Sequence, residues 1–386
     1  MRVALVHYWL LGMRGGEKVL EALCRMYPDA DIFTLFYDPA RVSRTIRSHR
    51  VRASWLNPAR GLHRSLLPLC PMALESFDLR DYDLIVSSES GPAKGVITRS
   101  DSCHICYCHT PMRYLWDLYP AYRSQAWTRS ALKRLAMVPL TSYLRLWDYA
   151  SAARVDEFLA NSENVRRRIA HVWRRDAQVV YPPVDVDRFH WEPPADYFLI
   201  VSEMVAYKQL AYAVRSFSAT GRRLRIVGDG PEYGALRALA APNVEFCGRV
   251  PDEQLCALYA RSRALIVPGE EDFGIATVEA LAAGKPVIAL GRGGTVEIVP
   301  PDAPCGVLYD EPAEDALEGA LGEFDATEHR VNPHELRSWA ARFSESVFRR
   351  EMEAMIAAAL ESKRRFHHFP RPARSRSAAA GRISLP

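Results

Sequence analysis

The sequence predicts an α/β chain of two doubly wound, Rossmann-like domains facing a central cleft, and three observations carry that reading. Short Val/Ile/Leu-rich runs alternate with helical stretches, the pattern of a parallel sheet covered on both faces. The runs fall into two series, parted at the paired prolines Pro182-Pro183. The length of 386 residues also suits two domains, at roughly 100–200 residues each.

The first series opens with VALVHYWL (3–10) as a strand, a loop from Gly12 to Gly16, and a helix from Glu17 to Met26. DLIVSS (83–88), HICYCHT (104–110) and EFLANS (157–162) follow as buried strands. A helix starts at Glu163, with Ser162 a suitable N-cap. QVVYPPV (178–184) closes the series. The second series runs YFLIVSEM (197–204), LRIVGDG (224–230), VEFCGRV (244–250), RALIVP (263–268) and PVIAL (286–290), with helical stretches at 334–343 and 345–362 after it. The expected domains are 1–184, 185–344, a terminal helix over 345–362 packing back on the first domain, and a disordered basic tail over 363–386. Ligands of such sheets bind at the carboxyl ends of the strands, so the loops after the strands are the ones to search.

Apolar residues at 48% and charged residues at 25% exclude a wholly disordered or fibrous chain. No stretch approaches the ~20 uninterrupted apolar residues that span a bilayer. The first residues lack the cleavage pattern of a secretory signal, so a cytoplasmic location is expected. Of eight cysteines, only Cys103-x-x-Cys106 has metal-like spacing, and no second pair accompanies it. It lies in an apolar run, where buried reduced thiols are the simpler reading.

The net charge of +4 is unevenly spread. From Lys363 onward there are seven basic residues and no acid, which leaves about −3 for the rest. Residues 41–64 carry seven arginines and no acid, with Trp55, Leu56 and Leu62 interleaved. Residues 121–147 repeat the theme with Arg123, Arg129, Lys133, Arg134 and Arg145 beside Trp127 and Trp147. These stretches are either solvated faces or an interfacial surface for an anionic membrane. No recognition motif accompanies them, so nucleic acid is not expected as a partner.

The most informative segment is EEDFGIATVEALAAGKPVIAL. Phe273-Gly274-Ile275 opens a helix whose free N–H groups and positive dipole end would face the cleft. That end suits an anionic or hydroxyl-rich ligand, with Glu271 able to accept hydrogen bonds from sugar hydroxyls and Glu279 from a ribose diol. By shape alone, Glu-x7-Glu also reads as two surface acids at a helix start.

Context narrows the choice. MRVALVHYWLLGMRGGEKVLEAL, CYCHTPMRYLWD, ANSENVRRRI, VVYPPVDVDRF, VSEMVAYKQ, RIVGDGPEYGAL, NVEFCGRV and the Glu-x7-Glu block with GGTVEIV occur in this order. Together they resemble the retaining nucleotide-sugar glycosyltransferases of the GT-B type, specifically glycosyltransferase family four. CHTPMRYLWD is similar to a bacterial subgroup containing mannosyltransferases of surface-polysaccharide assembly.

The resemblance implies roles. Gly15 and Gly16 match the glycine pair of the first βα loop, whose backbone meets the donor diphosphate or the acceptor. His109 matches the histidine near the reacting sugar, and Arg113 and Asp117 are weaker candidates for acceptor contacts. Lys208 matches the lysine that neutralises the donor diphosphate, and Glu271 with Phe273, Gly274, Ile275 and Glu279 completes the donor site. Gly228 belongs to a loop bordering the nucleobase pocket, and Gly248-Arg249-Val250 to the edge against which the base bonds. The family usually has an arginine five residues before Lys208. Here that residue is Glu203, a carboxylate where a diphosphate would be repelled.

The implied reaction is hexose transfer with retention, needing no cofactor and no metal. The donor is a nucleotide sugar, GDP-mannose favoured, and the acceptor a lipid-linked glycan at the cytoplasmic face of the membrane. Alternatives are a soluble or protein acceptor, or a weakly active sugar-nucleotide-binding component of a glycan-assembly complex, which Glu203 would suit.

Overall fold

A computed structural model describes residues 1–120, 131–303 and 305–367. Its first sheet has seven parallel strands: β1 (Val3–Leu10), β2 (Asp31–Tyr37), β3 (Val51–Ala53), β4 (Leu84–Glu89), β5 (Cys103–Cys108), β6 (Glu157–Ala160) and β7 (Gln178–Val179). Their spatial order is β3-β2-β1-β4-β5-β6-β7. The second sheet has six: β8 (Phe198–Val201), β9 (Leu224–Val227), β10 (Val244–Gly248), β11 (Leu265–Val267), β12 (Val287–Leu290) and β13 (Gly306–Tyr309), in the order β10-β9-β8-β11-β12-β13. Both are doubly wound. Each has one place where the strand order reverses, between β1 and β4 and between β8 and β11, and such switch points open the crevices that hold ligands.

Five helices matter for the site: α1 (Gly15–Met26), α2 (Ala131–Ser151), α3 (Glu163–Trp173), α4 (Ile275–Ala282) and α5 (Glu345–His367). The Ser162 hydroxyl accepts from the Val165 N–H at 3.1 Å and starts α3 where the sequence indicates. β7 is shorter than the 178–184 run suggests. Pro182 and Pro183 have no N–H to offer a ladder, so pairing stops before them. β2, β3 and β13 lie outside the runs singled out in the sequence.

All six residues of β5 are buried, and Cys103, Cys106 and Cys108 are free thiols. Burial pushes the Cys103 thiol up to about 12 and the other two well above the ordinary range, so all three stay protonated and inert. Nearby, Lys94, Glu89 and Asp148 form a fully buried ion cluster. The indoles of Trp116 and Trp173 each donate to Asp148 at 2.9 Å, fastening α2 to the sheet.

The chain passes between the domains twice, side by side. Val184 N–H donates to the Phe343 carbonyl at 3.0 Å, and Val184 bridges Ser344. Beyond that crossing, α5 places Phe348, Met352, Ile356 and Ala359, one helical stripe, in the core of the first sheet. Residues 121–130 and 368–386, with Arg123, Trp127, Arg129 and most of the basic tail, lie outside the described residues, as do the side chains of Lys133 and Arg134.

Candidate active site

The two switch points face one another across a cavity of ≈ 320 Å³. The first domain contributes Gly15 and Gly16 after β1, Ser90 after β4, His109 after β5 and Asn161 after β6. The second contributes Glu203, Tyr207 and Lys208 after β8, and Glu271, Asp272, Phe273, Gly274 and Ile275 after β11. The volume is at the lower end of the range of small-molecule sites.

Gly15 is small because the domains meet there, and Gly16 because it packs on His109 and His7 of its own domain. A Cβ on Gly15 would lie 2.9 Å from Ile275 Cδ1, and one on Gly16 would lie 3.4 Å from His109 Nε2. The N-terminal turn of α1 is thereby seated against the N-terminal end of α4, two sets of free N–H groups converging on one space.

His109 shares a 2.8 Å hydrogen bond between its Nε2 and the Ser88 hydroxyl. Burial, with His7 adding to it, pulls its pKa down to about 3, so its imidazole is neutral. Lys208 forms an ion pair with Glu271. Burial, the largest single influence, would lower the Lys208 pKa, but Glu271, Tyr207 and Asp272 together outweigh it and the net direction is up, so the ammonium stays charged.

Glu203 lines the cavity and faces Arg14 of the other domain, Oε1 to Nη2 3.6 Å. Both side chains are well exposed, so the pair is loose. Glu279 is one turn inside α4 but does not line the cavity. Its carboxylate is buried and held by three donors: Lys18 of α1 at 3.2 Å, Arg188 at 3.1 Å and the Tyr259 hydroxyl at 3.0 Å.

Gly228 and Arg249 also stand outside the cavity lining. At Gly228 φ is +131°, and a Cβ would lie 2.0 Å from the Ser202 carbonyl, so close approach of two strand ends explains it. Arg249 is an exposed side chain with Nε 3.9 Å from Asp229. Arg113 and Asp117 sit at the domain boundary, 3.9 Å apart, with Arg113 Nη1 3.4 Å from Asp272 and its guanidinium 5.3 Å from the Tyr207 ring.

Several residues of this boundary escaped the sequence reading. Arg168 of α3 pairs with Glu270 and Asp272. The first two N–H groups of α3, on Glu163 and Asn164, donate to the two oxygens of Glu297 at 2.8 and 2.9 Å. His7 is buried near Gly16 with neither ring nitrogen hydrogen-bonded, its Nε2 3.8 Å from Glu17. The only signal for Arg168 was the N-cap at Ser162, which fixes the phase of α3 but does not say what its arginines face. Among the described residues no group of His, Cys, Asp and Glu is arranged to hold a metal ion, and no helix is long and apolar enough to cross a membrane.

Comparison with known proteins agrees with this architecture. The family model Glycosyltransferase Family 4 matches residues 13–188, and Glycosyl transferases group 1 matches residues 186–332. D-rhamnosyltransferase WbpZ of Pseudomonas aeruginosa is 32% identical over 180 residues, covering 39% of this chain and 47% of that protein. A GDP-mannose-dependent alpha-mannosyltransferase of Mycolicibacterium smegmatis is 30% identical over 212 residues, 51% of this chain and 56% of that protein. The chain thus spans about half the length of the curated relatives it matches. Among solved structures, Anabaena Alr3699/HepE in complex with UDP-glucose superposes with a TM-score of 0.68 at 17% identity, covering 93% of this chain and 100% of that one. The lipopolysaccharide outer core galactosyltransferase WaaB gives 0.65 at 16%, covering 94% and 100%. At such identities the likeness is one of fold, and that fold is GT-B.

Proposed function

We propose, for a chain whose two halves match glycosyltransferase families on a GT-B fold, that it moves a hexose, mannose favoured, from a nucleotide sugar to a lipid-linked glycan with retention at the anomeric carbon. One observation supports this above the others. The cavity brings the tip of α4 and the Lys208 ammonium to the same space, opposite the glycine turn of α1. A diphosphate arriving there would draw Lys208 away from Glu271, and the freed carboxylate would then accept from the sugar hydroxyls. Lys208 and the N–H groups of Ile275 and Ala276 would stabilise the charge that grows on the leaving phosphate, the task a metal performs elsewhere. Neutral His109 would hold the hexose by hydrogen bonding. The leaving phosphate would help deprotonate the acceptor hydroxyl on the same face. Glu279 would need to exchange Lys18 for a ribose diol. A panel of nucleotide sugars, scored by thermal shift and by hydrolysis, tests the reading. If no nucleoside diphosphate raised the melting temperature, it would fail.

The acceptor side of the proposal rests on the surface of the first domain. Trp55 and Leu62 are exposed among the arginines of the 41–64 stretch, Met72 is exposed just after it, and α2 exposes Tyr143, Leu146 and Tyr149. Such mixed basic and apolar surface suits the interface of an anionic membrane, giving a peripheral enzyme at its cytoplasmic face. Co-sedimentation with anionic vesicles, released by salt, is the expected result. Equal recovery with and without lipid would count against it. Glu203 beside the cavity supports a second reading, a weakly active sugar-nucleotide-binding component of an assembly complex.

A further inference from the structure

The loop from Pro268 to Gly274 carries Glu271 between two other acids, Glu270 and Asp272. The three side chains diverge. Glu271 meets Lys208 of its own domain, whereas Glu270 and Asp272 meet Arg168 of the opposite domain. Arg168 is 13% exposed and also lies 3.4 Å from Asp117 and 3.2 Å from the Thr110 hydroxyl, so its guanidinium is seated in the first domain before it reaches across. The backbone of the same loop is held from both sides. Ser162 donates to the Asp272 carbonyl at 2.6 Å from the first domain, and Gly294 N–H donates to the Glu271 carbonyl at 2.8 Å from the second. A forked, pre-organised cation spanning two carboxylates is the arrangement that arginine makes and lysine does not.

We propose that Arg168 is a positioning residue: by gripping the acids on either side of Glu271, it fixes where that carboxylate stands in the cavity, so the sugar end of the site is complete only when the first domain is docked. The proposal deepens the functional reading and rests on it for the role of Glu271. Arg168 acts through the loop, and it leaves the diphosphate end, made by Lys208 and α4, intact.

Two measurements test it on the full chain. Hydrogen exchange of peptides covering 268–276 needs no substrate. Exchange there should quicken in Arg168→Gln and less so in Arg168→Lys, while the β8 and β9 peptides stay protected. Unchanged exchange over 268–276 overturns the proposal even if the wild type proves inert with every donor, an outcome that would instead sink the functional reading. The second measurement is sugar-nucleotide turnover. Arg168→Gln should lower kcat about tenfold to a hundredfold, the scale of a displaced reacting group, with the affinity for the nucleoside diphosphate alone unchanged. Combined with Glu271→Gln, it should add little further loss, because both changes act on one carboxylate. Full additivity, or an equal loss of nucleoside diphosphate affinity, would show that Arg168 merely holds the domains together.

Discussion

Lys208 gives the sharpest test of the proposed chemistry, provided stability and catalysis are separated. Lys208→Ala removes one preorganised charge from the leaving phosphate, a loss of ~3–4 kcal/mol in comparable sites. At about 1.4 kcal/mol per tenfold, turnover should fall several hundredfold. The same change strips Glu271 of its cation. Breaking a buried pair costs ~3–5 kcal/mol, and here that is an upper bound, because Glu271 is 24% exposed and water reaches it. A drop of a few degrees in melting temperature is therefore expected as well, and low activity alone would be ambiguous. Lys208→Met with Glu271→Gln removes both charges together. It should recover most of the lost melting temperature and none of the lost turnover. The assay is release of nucleoside diphosphate in a coupled reaction, at donor concentrations spanning KM, beside a thermal melt. Wild-type turnover in either variant would remove Lys208 from the mechanism. Recovery of turnover together with stability would mean that its role is to hold the fold.

Two further predictions follow from charges described above. Glu203→Arg should raise donor affinity and turnover by relieving repulsion of the diphosphate, and Arg14→Glu should lower them. The exchanged pair should return toward wild type, with melting temperatures nearly constant throughout because the pair is exposed. A loss of turnover in Glu203→Arg would mean that the carboxylate has its own task. The second concerns pH. Burial, reinforced by Asp148 against the pull of Lys94, pushes Glu89 up to about 7. The native state then holds a proton that the unfolded chain releases near pH ~4.3, so this stabilisation is lost as pH rises toward 7. Burial pulls His104 down to about 4. The unfolded chain binds that proton below pH ~6.5, so stability falls as pH drops from there toward 4. The two slopes oppose each other between about 4.5 and 6.5. Melts of Glu89→Gln and His104→Gln across pH 4 to 8 should each abolish one slope. A profile unchanged in either variant would refute the corresponding assignment.

Much of the fold was legible because a covered parallel sheet announces itself in short apolar runs, and most of the observed strands coincide with runs seen in the sequence. β3 was not legible, because three residues carry no periodicity. At the candidate site the helix opening at Gly274 came from local pattern, whereas the glycine pair after β1 and the lysine after β8 came from the family resemblance; the structure places all of them on one cavity. What stayed hidden was long-range. Nothing near Glu279 shows that Lys18, far earlier in the chain, will meet its carboxylate. Nothing near Glu203 shows Arg14 opposite. Pairings of that kind are set by how two sheets dock.

The double passage of the backbone at Val184 and Ser344 bears on anyone who would cut this molecule in two. A fragment ending at residue 184 would leave one side of its interior bare, since the apolar stripe that seals it is supplied from positions 348–359. A split pair, or a circularly permuted gene, would have to graft that final segment onto the front half before that half could stand alone.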